Sequence, residues 1–151
     1  MLVKINEEHS HLIKDDPVRP ELDYIFRTSN GREIFADIEN GSANAVICVG
    51  YNHQVPKTVE DLDKYSQPDF MDPLGIAVFY TVWSYKPGAG RKIVFDTVKR
   101  IREEKKHIIR FVTLSPKTQM ARKFHLNNGA VVLNENKNTD NYEYKLSNIK
   151  D

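Results

Sequence analysis

The sequence predicts a mixed α/β domain, and the stretch from residue 76 to residue 114 carries most of that prediction. Residues 76–83 form an apolar run rich in β-branched and aromatic side chains, which is typical of a buried strand. A glycine-rich turn follows, and an apolar stripe at Val94, Val98 and Ile101 then indicates a helix. Because residues 107–114 again have strand composition, the stretch predicts a parallel β-α-β unit with a right-handed crossover.

Two strands are predicted ahead of this unit. Residues 32–38 and 45–51 have strand composition, and Asn40-Gly41-Ser42 between them is a hairpin turn. Residues 45–51 are apolar enough to form a central strand that is buried on both faces. We therefore predict a mixed sheet of about six to seven strands, with a front antiparallel meander, a central parallel β-α-β unit, a closing hairpin and flanking helices.

The N-terminal region is harder to interpret. Residues 7–14 predict a short helix that ends at Asp16-Pro17, because a residue before proline avoids the helical conformation. Pro17 and Pro20 bracket an extended segment. Residues 22–27 alternate loosely and fit either a strand or a helical turn.

Length and composition restrict the class of protein. The chain has 151 residues and a formal net charge of +1, with 40% hydrophobic and 28% charged residues, so we predict one domain over residues 1–151. This charge argues against broad attraction to nucleic acid or membrane, and no apolar run approaches the ~20 residues of a membrane helix. The single cysteine, Cys48, excludes an intrachain disulfide, and no apolar leader segment follows Met1. We therefore expect a cytoplasmic protein.

The connection over residues 52–73 interrupts the pattern. It is long, polar and interspersed with aromatic residues, and residues 59–65 within it predict a short helix that begins near Thr58. Connections of this kind are often lids or binding loops. A plain surface excursion is the equal alternative.

The turn that follows the strand at residues 76–83 predicts an anion site. Gly88 and Gly90 allow the backbone to approach a ligand closely, and the first N–H groups of the next helix have no partner within that helix. The helix dipole favours a negative charge at the same place. Since two cations, Arg91 and Lys92, are mildly unfavourable near a helix N-terminus, their position indicates an anionic ligand. The alternative is a structural glycine turn ahead of an ordinary core helix.

The glycine spacing excludes two common nucleotide motifs. A dinucleotide fold would place a third glycine where Ile93 stands. A P-loop would end in Gly-Lys-Ser/Thr, which Gly90-Arg91-Lys92 does not match. What remains is x-x-Gly-x-Gly at the start of a helix.

The C-terminal part predicts a second helix and the closing hairpin. Ser115-Pro116 has the composition of a helix start, and Asn127-Asn128-Gly129 that of a helix end. Residues 130–133 and 142–146 are predicted strands, and residues 134–141 between them are a predicted polar loop.

The two motifs together resemble the GCN5-related N-acetyltransferases. The glycine loop is similar to the pyrophosphate loop of that family, although Tyr85 stands where the family has Gln or Arg. The family also follows its fifth strand with Asn-x-x-Ala-x-x-x-Tyr-x-x-x-Gly-Phe. Ala121 and Gly129 match this pattern, whereas the Asn, Tyr and Phe positions hold Thr118, His125 and Ala130. The resemblance covers roughly residues 32–147.

The resemblance implies an acyl-CoA-dependent N-acetyltransferase that uses acetyl-CoA as co-substrate. Acyl-CoA would lie between splayed strands at residues 76–83 and 107–114, and a backbone N–H would polarise the thioester carbonyl. A neutral amine of unknown identity would then attack directly. The cofactor-binding residues that this predicts are Thr81, Val82, Trp83, Lys86, Gly88, Ala89, Gly90, Arg91, Lys92 and Thr118.

Catalytic candidates follow from the same resemblance. His125 falls where the family's helix tyrosine often protonates the leaving thiolate, and histidine is able to act as an acid near neutral pH. The alternative is that His125 is a partly exposed helix residue and that water supplies the proton. Tyr142 and Tyr144 are alternates, although aromatic strand residues usually belong to the core.

A base for the amine is the remaining catalytic question. His53, Asp69 and Asp72 are candidates, and the family often uses only water-mediated deprotonation. We expect Cys48 to be a buried strand residue and not a nucleophile. The other histidines show no metal-ligand spacing, so we predict no metal.

Two other function classes also fit the sequence. One is a non-catalytic acyl-CoA-binding or partner-binding module, which the departures from the family pattern favour. The other is a nucleic-acid-modifying enzyme similar to the phage Mom-type proteins. Its basic face would consist of Lys86, Arg91, Lys92, Arg110, Lys117, Arg122 and Lys123. A homodimer is a further expectation from the resemblance.

Overall fold

A single twisted sheet with helices on both faces forms the molecule. The computed structural model describes residues 1–67 and 73–146, and within them the chain forms eight β-strands, four α-helices and one 3-10 helix. The strands are β1 (Leu2–Lys4), β2 (Glu33–Glu39), β3 (Ser42–Asn52), β4 (Ile76–Ser84), β5 (Arg110–Thr113), β6 (Ser115–Pro116), β7 (Val131–Glu135) and β8 (Thr139–Tyr144). The helices are the 3-10 helix (Glu7–Asp15), α1 (Tyr24–Thr28), α2 (Val59–Lys64), α3 (Ala89–Glu104) and α4 (Gln119–Asn127).

The sheet has the mixed topology that the sequence predicts. Strands β1 to β4 form an antiparallel meander, β4 and β5 are parallel, and β8 pairs antiparallel with β5, β6 and β7. The prediction of six to seven strands falls short because β1 has three residues and β6 has two. Strands of that length are too short to show an alternating pattern.

The predicted hairpin turn between β2 and β3 is confirmed. Asn40 has φ +52° and Gly41 has φ +79°, both in the left-handed region. A two-residue turn with positive φ at both positions matches the right-handed twist of the flanking strands, and Asn-Gly is the preferred sequence for it.

The predicted β-α-β unit is also confirmed. Helix α3 buries Ile93, Val94, Val98 and Ile101 against the sheet and carries the chain from β4 to β5. The helix begins one residue after Gly88, which is its N-cap.

Two apolar layers lie on opposite faces of the sheet. The first contains the buried face of α3 together with Phe79, Phe111 and Tyr144. The second contains Cys48, Val78 and other strand residues, covered by the N-terminal region and α2. Cys48 is fully buried, as the sequence predicts, and burial raises the pKa of its thiol to about 11.

The predicted helix start at Ser115-Pro116 is wrong. These two residues form β6 instead, opposite Asp140 and Thr139 of β8. Helix α4 begins later, because the Thr118 hydroxyl accepts a hydrogen bond from the Ala121 amide at 3.2 Å and caps it. Proline is tolerated in β6 because the strand is very short and lies at the end of the pairing.

The predicted polar loop at residues 134–141 is largely strand. Asn134 pairs with Asn141 and Glu135 pairs with Asp140. The Asn136 side-chain amide donates to the Thr139 hydroxyl at 3.1 Å and to the Asn141 side chain at 2.8 Å. Hydrogen bonds between polar side chains stabilise this hairpin. Its sequence therefore lacks the alternating apolar residues from which a strand is predicted.

The N-terminal region folds into short helices. The predicted helix at residues 7–14 is present as the 3-10 helix. Residues 24–28 form α1, capped by the Asp23 carboxylate, which accepts from the Phe26 amide at 2.8 Å. The helical alternative for residues 22–27 is therefore the correct one.

Candidate functional site

Strand β4 has two halves that differ in their pairing. The closed half, residues 76–79, pairs with β3 on one side and with β5 on the other. The open half, residues 80–84, pairs with β3 and has no second strand partner in the described part of the chain. The last backbone hydrogen bond between the two sides runs from the Leu114 amide to the Phe79 carbonyl at 3.0 Å. We refer to the space between the open half and residues 114–116 as the strand gap.

A β-bulge lies where the gap begins. Cys48 of β3 pairs with Thr81, and Val49 pairs with Phe79, so Tyr80 is an extra residue on β4. A bulge bends its strand and increases the local twist. The bulge and the short β5 together lead the two parallel strands apart.

The strand gap contains a cavity of about 290 Å³. It extends from α4 on one face of the sheet to Pro17 and Val18 on the other. Six of the residues predicted to bind or act on a ligand line this cavity, namely Thr81, Val82, Trp83, Gly90, Thr118 and His125.

The glycine loop leads from the open half into α3. Gly88 has φ +80° and caps α3 without any side-chain hydrogen bond. A β-carbon on Gly90 would lie 3.0 Å from Cε1 of Phe124 on α4, so this glycine permits α3 and α4 to approach each other. Gly88 is therefore required for its backbone conformation, and Gly90 is required for the packing of α3 against α4.

The cations in the first turn of α3 have partners within the protein. The Lys92 ammonium lies 2.7 Å from the Asp96 carboxylate and 3.6 Å from that of Asp37. Asp96 is the main cause of the raised pKa of Lys92. The Arg91 guanidinium donates to the carbonyl of Asn127 at 3.2 Å and to the side chain of Asn128 at 3.3 Å. A ligand anion at this helix start would thus meet backbone amides more than side-chain charge.

Three predicted catalytic residues are brought together beside the cavity. Nδ1 of His125 lies 2.8 Å from the Tyr144 hydroxyl, and the His125 ring stacks on Tyr142 with centroids 5.3 Å apart. Burial lowers the pKa of His125 to about 4, and burial raises the pKa of both tyrosines. The imidazole is therefore neutral at pH 7.

Of the candidates for the base that deprotonates the amine, the structure describes only His53, which does not line the cavity. His53 directly follows Asn52, which pairs with Ile76 at the start of the closed half, and its ring packs on Tyr65 with centroids 5.1 Å apart. That position is about 13 Å along β4 from Tyr80, at roughly 3.3 Å per residue. Asp69 and Asp72 lie outside the described residues.

Tyr85 connects the glycine loop to the N-terminal 3-10 helix. Its hydroxyl accepts from Nε1 of Trp83 at 3.1 Å and donates to the Asp15 carboxylate at 2.8 Å. The residue that departs from the family pattern therefore fixes the loop through its hydroxyl.

A buried charged cluster was missed by sequence reasoning. Arg27 and Asp16 form an ion pair at 2.8 Å with both side chains fully buried. The Thr81 hydroxyl of β4 donates to the same Asp16 carboxylate at 3.0 Å, and Arg19 donates to the carbonyls of Tyr80 and Leu114. The only sequence signal was an Asp-Pro and two arginines in a stretch without periodicity.

Within residues 1–67 and 73–146, no three potential ligands among His, Cys, Asp and Glu side chains cluster to hold a metal ion. No helix in those residues combines the length and the apolar character that crossing a membrane requires.

Comparison with known proteins identifies the fold. No protein-family model matches the sequence, and no curated protein matches it. A malonyl-CoA decarboxylase from Agrobacterium vitis matches with TM-score 0.77 and 17% identity, over 99% of this chain and 61% of its own. This chain therefore spans about three fifths of the length of that structure.

Two acetyltransferase structures match over nearly their full lengths. One is a Bacillus subtilis acetyltransferase in complex with CoA, with TM-score 0.66 and 8% identity, over 96% of this chain and 97% of its own. The other is a ribosomal-protein-alanine N-acetyltransferase from Brucella melitensis, with TM-score 0.61 and 9% identity, over 97% and 99%. With the splayed β4 and β5 and the glycine-capped α3, these matches show that the chain has the fold of the GCN5-related N-acetyltransferases.

Proposed function

We propose that this protein binds an acyl-CoA in the strand gap and transfers the acyl group to an amine. The observation that carries the proposal is the cavity between the open half of β4 and α4, which ends at the glycine-capped start of α3. An extended chain with a pyrophosphate at one end fits this combination of an unpaired strand edge and a helix N-terminus.

The backbone would hold most of the ligand. The pyrophosphate would accept hydrogen bonds from the first amides of α3, from Ala89 to Lys92, since such amides lack partners within the helix. The pantetheine amides would pair with the open half of β4 at Thr81 to Trp83. Buried backbone groups need hydrogen-bond partners, so an unpaired strand edge is a natural site for an extended ligand.

The neutral state of His125 defines its chemistry. With a pKa of about 4, the ring carries no proton to give away as imidazolium at pH 7. Its Nδ1 contacts the Tyr144 hydroxyl, which leaves Nε2 as the nitrogen that faces a ligand. We infer that Nε2–H donates a hydrogen bond to the leaving sulfur while the Tyr144 hydroxyl donates to Nδ1.

The transfer step then balances without a covalent enzyme intermediate. The amine nitrogen attacks the thioester carbonyl carbon, and a backbone N–H of the open half stabilises the oxyanion. The C–S bond breaks when this oxyanion collapses, which leaves the amide and the CoA thiolate. The thiolate finally takes, through water, the proton that the nitrogen releases.

The structural matches support binding of CoA or of a CoA thioester, and they do not select one particular reaction. One matching structure contains CoA, and another is a malonyl-CoA decarboxylase. Their shared chemistry is binding of CoA or of its thioester. That shared part is what we carry to this chain.

A non-catalytic acyl-CoA-binding module is the second candidate. None of the described residues that line the cavity is acidic, and His125 with its lowered pKa is a weak base. These observations favour binding without transfer. Detection of an acetylated product separates the two candidates.

The ion pairs of the structure argue against the hypothesis of a nucleic-acid-modifying enzyme. Four of the seven cations that it needs lie within ion-pair distance of carboxylates: Lys92 with Asp96, Arg110 with Glu143, Lys117 with Asp140 and Arg122 with Glu135. Charges that are already compensated contribute little to phosphate binding. We therefore expect no salt-dependent binding to DNA.

The test is a thermal-shift titration with acetyl-CoA and CoA on matched glycine variants. Saturation at ~100 times Kd should stabilise the folded state by roughly 2.7 kcal/mol. Gly88→Asp should abolish the shift because it places a carboxylate where the pyrophosphate binds. Gly41→Asp is the control, since Gly41 has nearly the same φ (+79° against +80°) and equally open surroundings but lies in the β2–β3 turn.

The outcomes decide between the candidates. A shift retained in Gly41→Asp and lost in Gly88→Asp supports the site, and no shift in the wild type rejects the proposal. An amine panel with acetyl-CoA, followed by mass spectrometry, then tests transfer. Binding without any acetylated amine would establish the non-catalytic module.

A further inference from the structure

Arg19 is a buried arginine at the point where the two strands separate. It is 6% exposed, and its Nη1 donates to the carbonyl of Tyr80 on β4 and to that of Leu114 at 3.0 Å. Those two carbonyls stand on opposite sides of the strand gap. The guanidinium therefore bridges the gap at its closed end.

The charge of Arg19 has no carboxylate partner among the residues that the structure describes. Asp16 is the buried acid nearby, and its Oδ2 forms the ion pair with Arg27. Its Oδ1 already accepts from the amides of Val18 and Arg19, at 2.8 and 3.1 Å, and from the Thr81 hydroxyl. Two buried guanidinium groups thus share one buried carboxylate, while the other neighbouring acid, Glu21, is exposed and forms no ion pair with Arg19.

The two arginines differ in the balance between burial and compensation. Burial lowers the pKa of Arg19, and the neighbouring Asp16 and Glu21 do not offset this. Burial alone would lower the pKa of Arg27 as well, but Cys48 and Asp16 raise it above its ordinary value. A buried charge without a partner is costly, so a ligand carboxylate that paired with Arg19 would be favoured.

The Arg19 side chain also has hydrogen-bond donors that no described acceptor uses. Both hydrogen bonds of its side chain use Nη1, and neither Nε nor Nη2 contacts an acceptor within the described residues. The Nε–Nη2 edge of a guanidinium is the edge that binds a carboxylate with two parallel hydrogen bonds.

The cavity reaches the neighbours of Arg19, although Arg19 itself is not among the residues that line it. Pro17 and Val18, which precede Arg19, line the cavity, and so do its acceptors Tyr80 and Leu114. In the proposed function, the pyrophosphate lies at the start of α3 and the thiol arm follows β4 inwards. The reacting end of the ligand would then lie beside Tyr80, whose carbonyl accepts a hydrogen bond from Arg19.

We propose that Arg19 binds a substrate carboxylate at the closed end of the strand gap, so that the substrate class is carboxylated. This inference rests on the proposed function and adds the substrate class to it. The carboxylate has two sources that fit equally, the acyl group of a dicarboxylic thioester or an amino-acid acceptor. An acetyl group with a plain amine would leave Arg19 without a partner.

The first experiment compares ligands on the wild-type protein by calorimetry. Malonyl-CoA and acetoacetyl-CoA have the same length and differ in a terminal carboxylate against a methyl ketone. If the acyl group supplies the carboxylate, malonyl-CoA should bind at least tenfold more tightly. If the acceptor supplies it, the two thioesters should bind alike, and with acetyl-CoA the free amino acids should show at least tenfold higher kcat/KM than their amides.

Variants assign the preference to Arg19. Arg19→Gln should remove it while the affinity for acetyl-CoA changes less than threefold, and Arg19→Lys should restore part of it. Near-UV circular dichroism checks the fold of each variant, and if Arg19→Gln does not fold, the wild-type ligand comparison decides alone.

Three results would count against the inference. Equal behaviour of both ligand pairs with a wild type that binds CoA would overturn the role of Arg19 and leave the proposed function standing. A preference that persists in a folded Arg19→Gln would also overturn it. Absence of any binding to CoA thioesters would reject the proposed function and this inference together.

Discussion

The two halves of β4 have similar sequences and different roles. Both are rich in β-branched and aromatic residues, and both pair with β3. The closed half, residues 76–79, has β5 on its other side and forms part of the core. The open half, residues 80–84, faces a cavity there, and six of the residues predicted to bind or act on a ligand surround that cavity.

This difference shows that the elements packed around β4, and not the sequence of β4 itself, create the cavity. The bulge at Tyr80 bends β4, and β5 contributes only four residues. Arg19 then bridges the carbonyls where the strands part. Because backbone groups of the open half lack a strand partner, a ligand can supply the missing hydrogen bonds.

The largest expected effect lies where β5 packs beside the closed half. Phe111 on β5 is fully buried, and its ring packs against Phe79 with centroids 6.2 Å apart. Phe111→Ala should lower the free energy of unfolding by about 3–5 kcal/mol, measured by urea denaturation. Val82→Ala in the open half should cost only about 1 kcal/mol and weaken CoA binding instead. Equal costs for both variants would contradict the division of β4.

The next effect is a pH dependence that belongs to His125 beside the open half. Its pKa is about 4 in the folded protein, against about 6.5 for an unperturbed histidine. Between these values the unfolded state binds more protons than the folded state. The contribution of His125 to the free energy of unfolding is therefore complete above pH 6.5 and decreases as the pH falls towards 4.

His125→Gln isolates this contribution. The wild type should lose about 2 kcal/mol more than the variant between pH 7.5 and pH 5, because each pKa unit corresponds to about 1.4 kcal/mol. Urea denaturation at the two pH values measures the difference. Parallel losses in both proteins would mean that His125 is not buried as a neutral ring.

A smaller effect tests the packing that bounds the open half. Gly90→Ala would place a β-carbon 3.0 Å from Phe124, which should cost about 1 kcal/mol net of the helix-favouring effect of alanine. The same change in a Phe124→Leu background should be neutral or stabilising. A double-mutant cycle by denaturation measures the coupling, and additivity would show that the two helices have room to separate.

The sequence predicts the parts of this comparison that depend on local signals. The turn at Asn40-Gly41 and the cap at Gly88 follow from backbone conformations that favour glycine. Helix α3 follows from its apolar stripe. The resemblance also names His125, Tyr142 and Tyr144 as alternative candidates, whereas their mutual contact is seen only in the structure.

The closed end of the gap could not be predicted, because its contacts are long-range. Arg19 reaches partners 61 and 95 residues away along the chain. The sequence around it has no periodicity, and an arginine between two prolines ordinarily indicates solvent exposure. The error at Ser115-Pro116 has a similar cause, since β6 forms only because β8 offers it a partner.

The smallest expected effect concerns the cation next to the open half. The Lys92 side chain is half exposed and directed to Asp37 and Asp96. Lys92→Met should therefore change stability by less than about 0.5 kcal/mol and the Kd for CoA by less than threefold. Calorimetry checks the second value. A tenfold loss of affinity would show that the ammonium leaves its carboxylates to bind phosphate.

Hydrogen exchange with and without CoA tests the central claim most directly, because the claim is that a ligand completes the pairing of the open half. Exchange read by mass spectrometry should slow at residues 80–84 and at the first turn of α3 when CoA is added. Residues 76–79, which already have both strand partners, should not change. Unchanged exchange in the open half while CoA binds would contradict the account, because the ligand would then lie elsewhere.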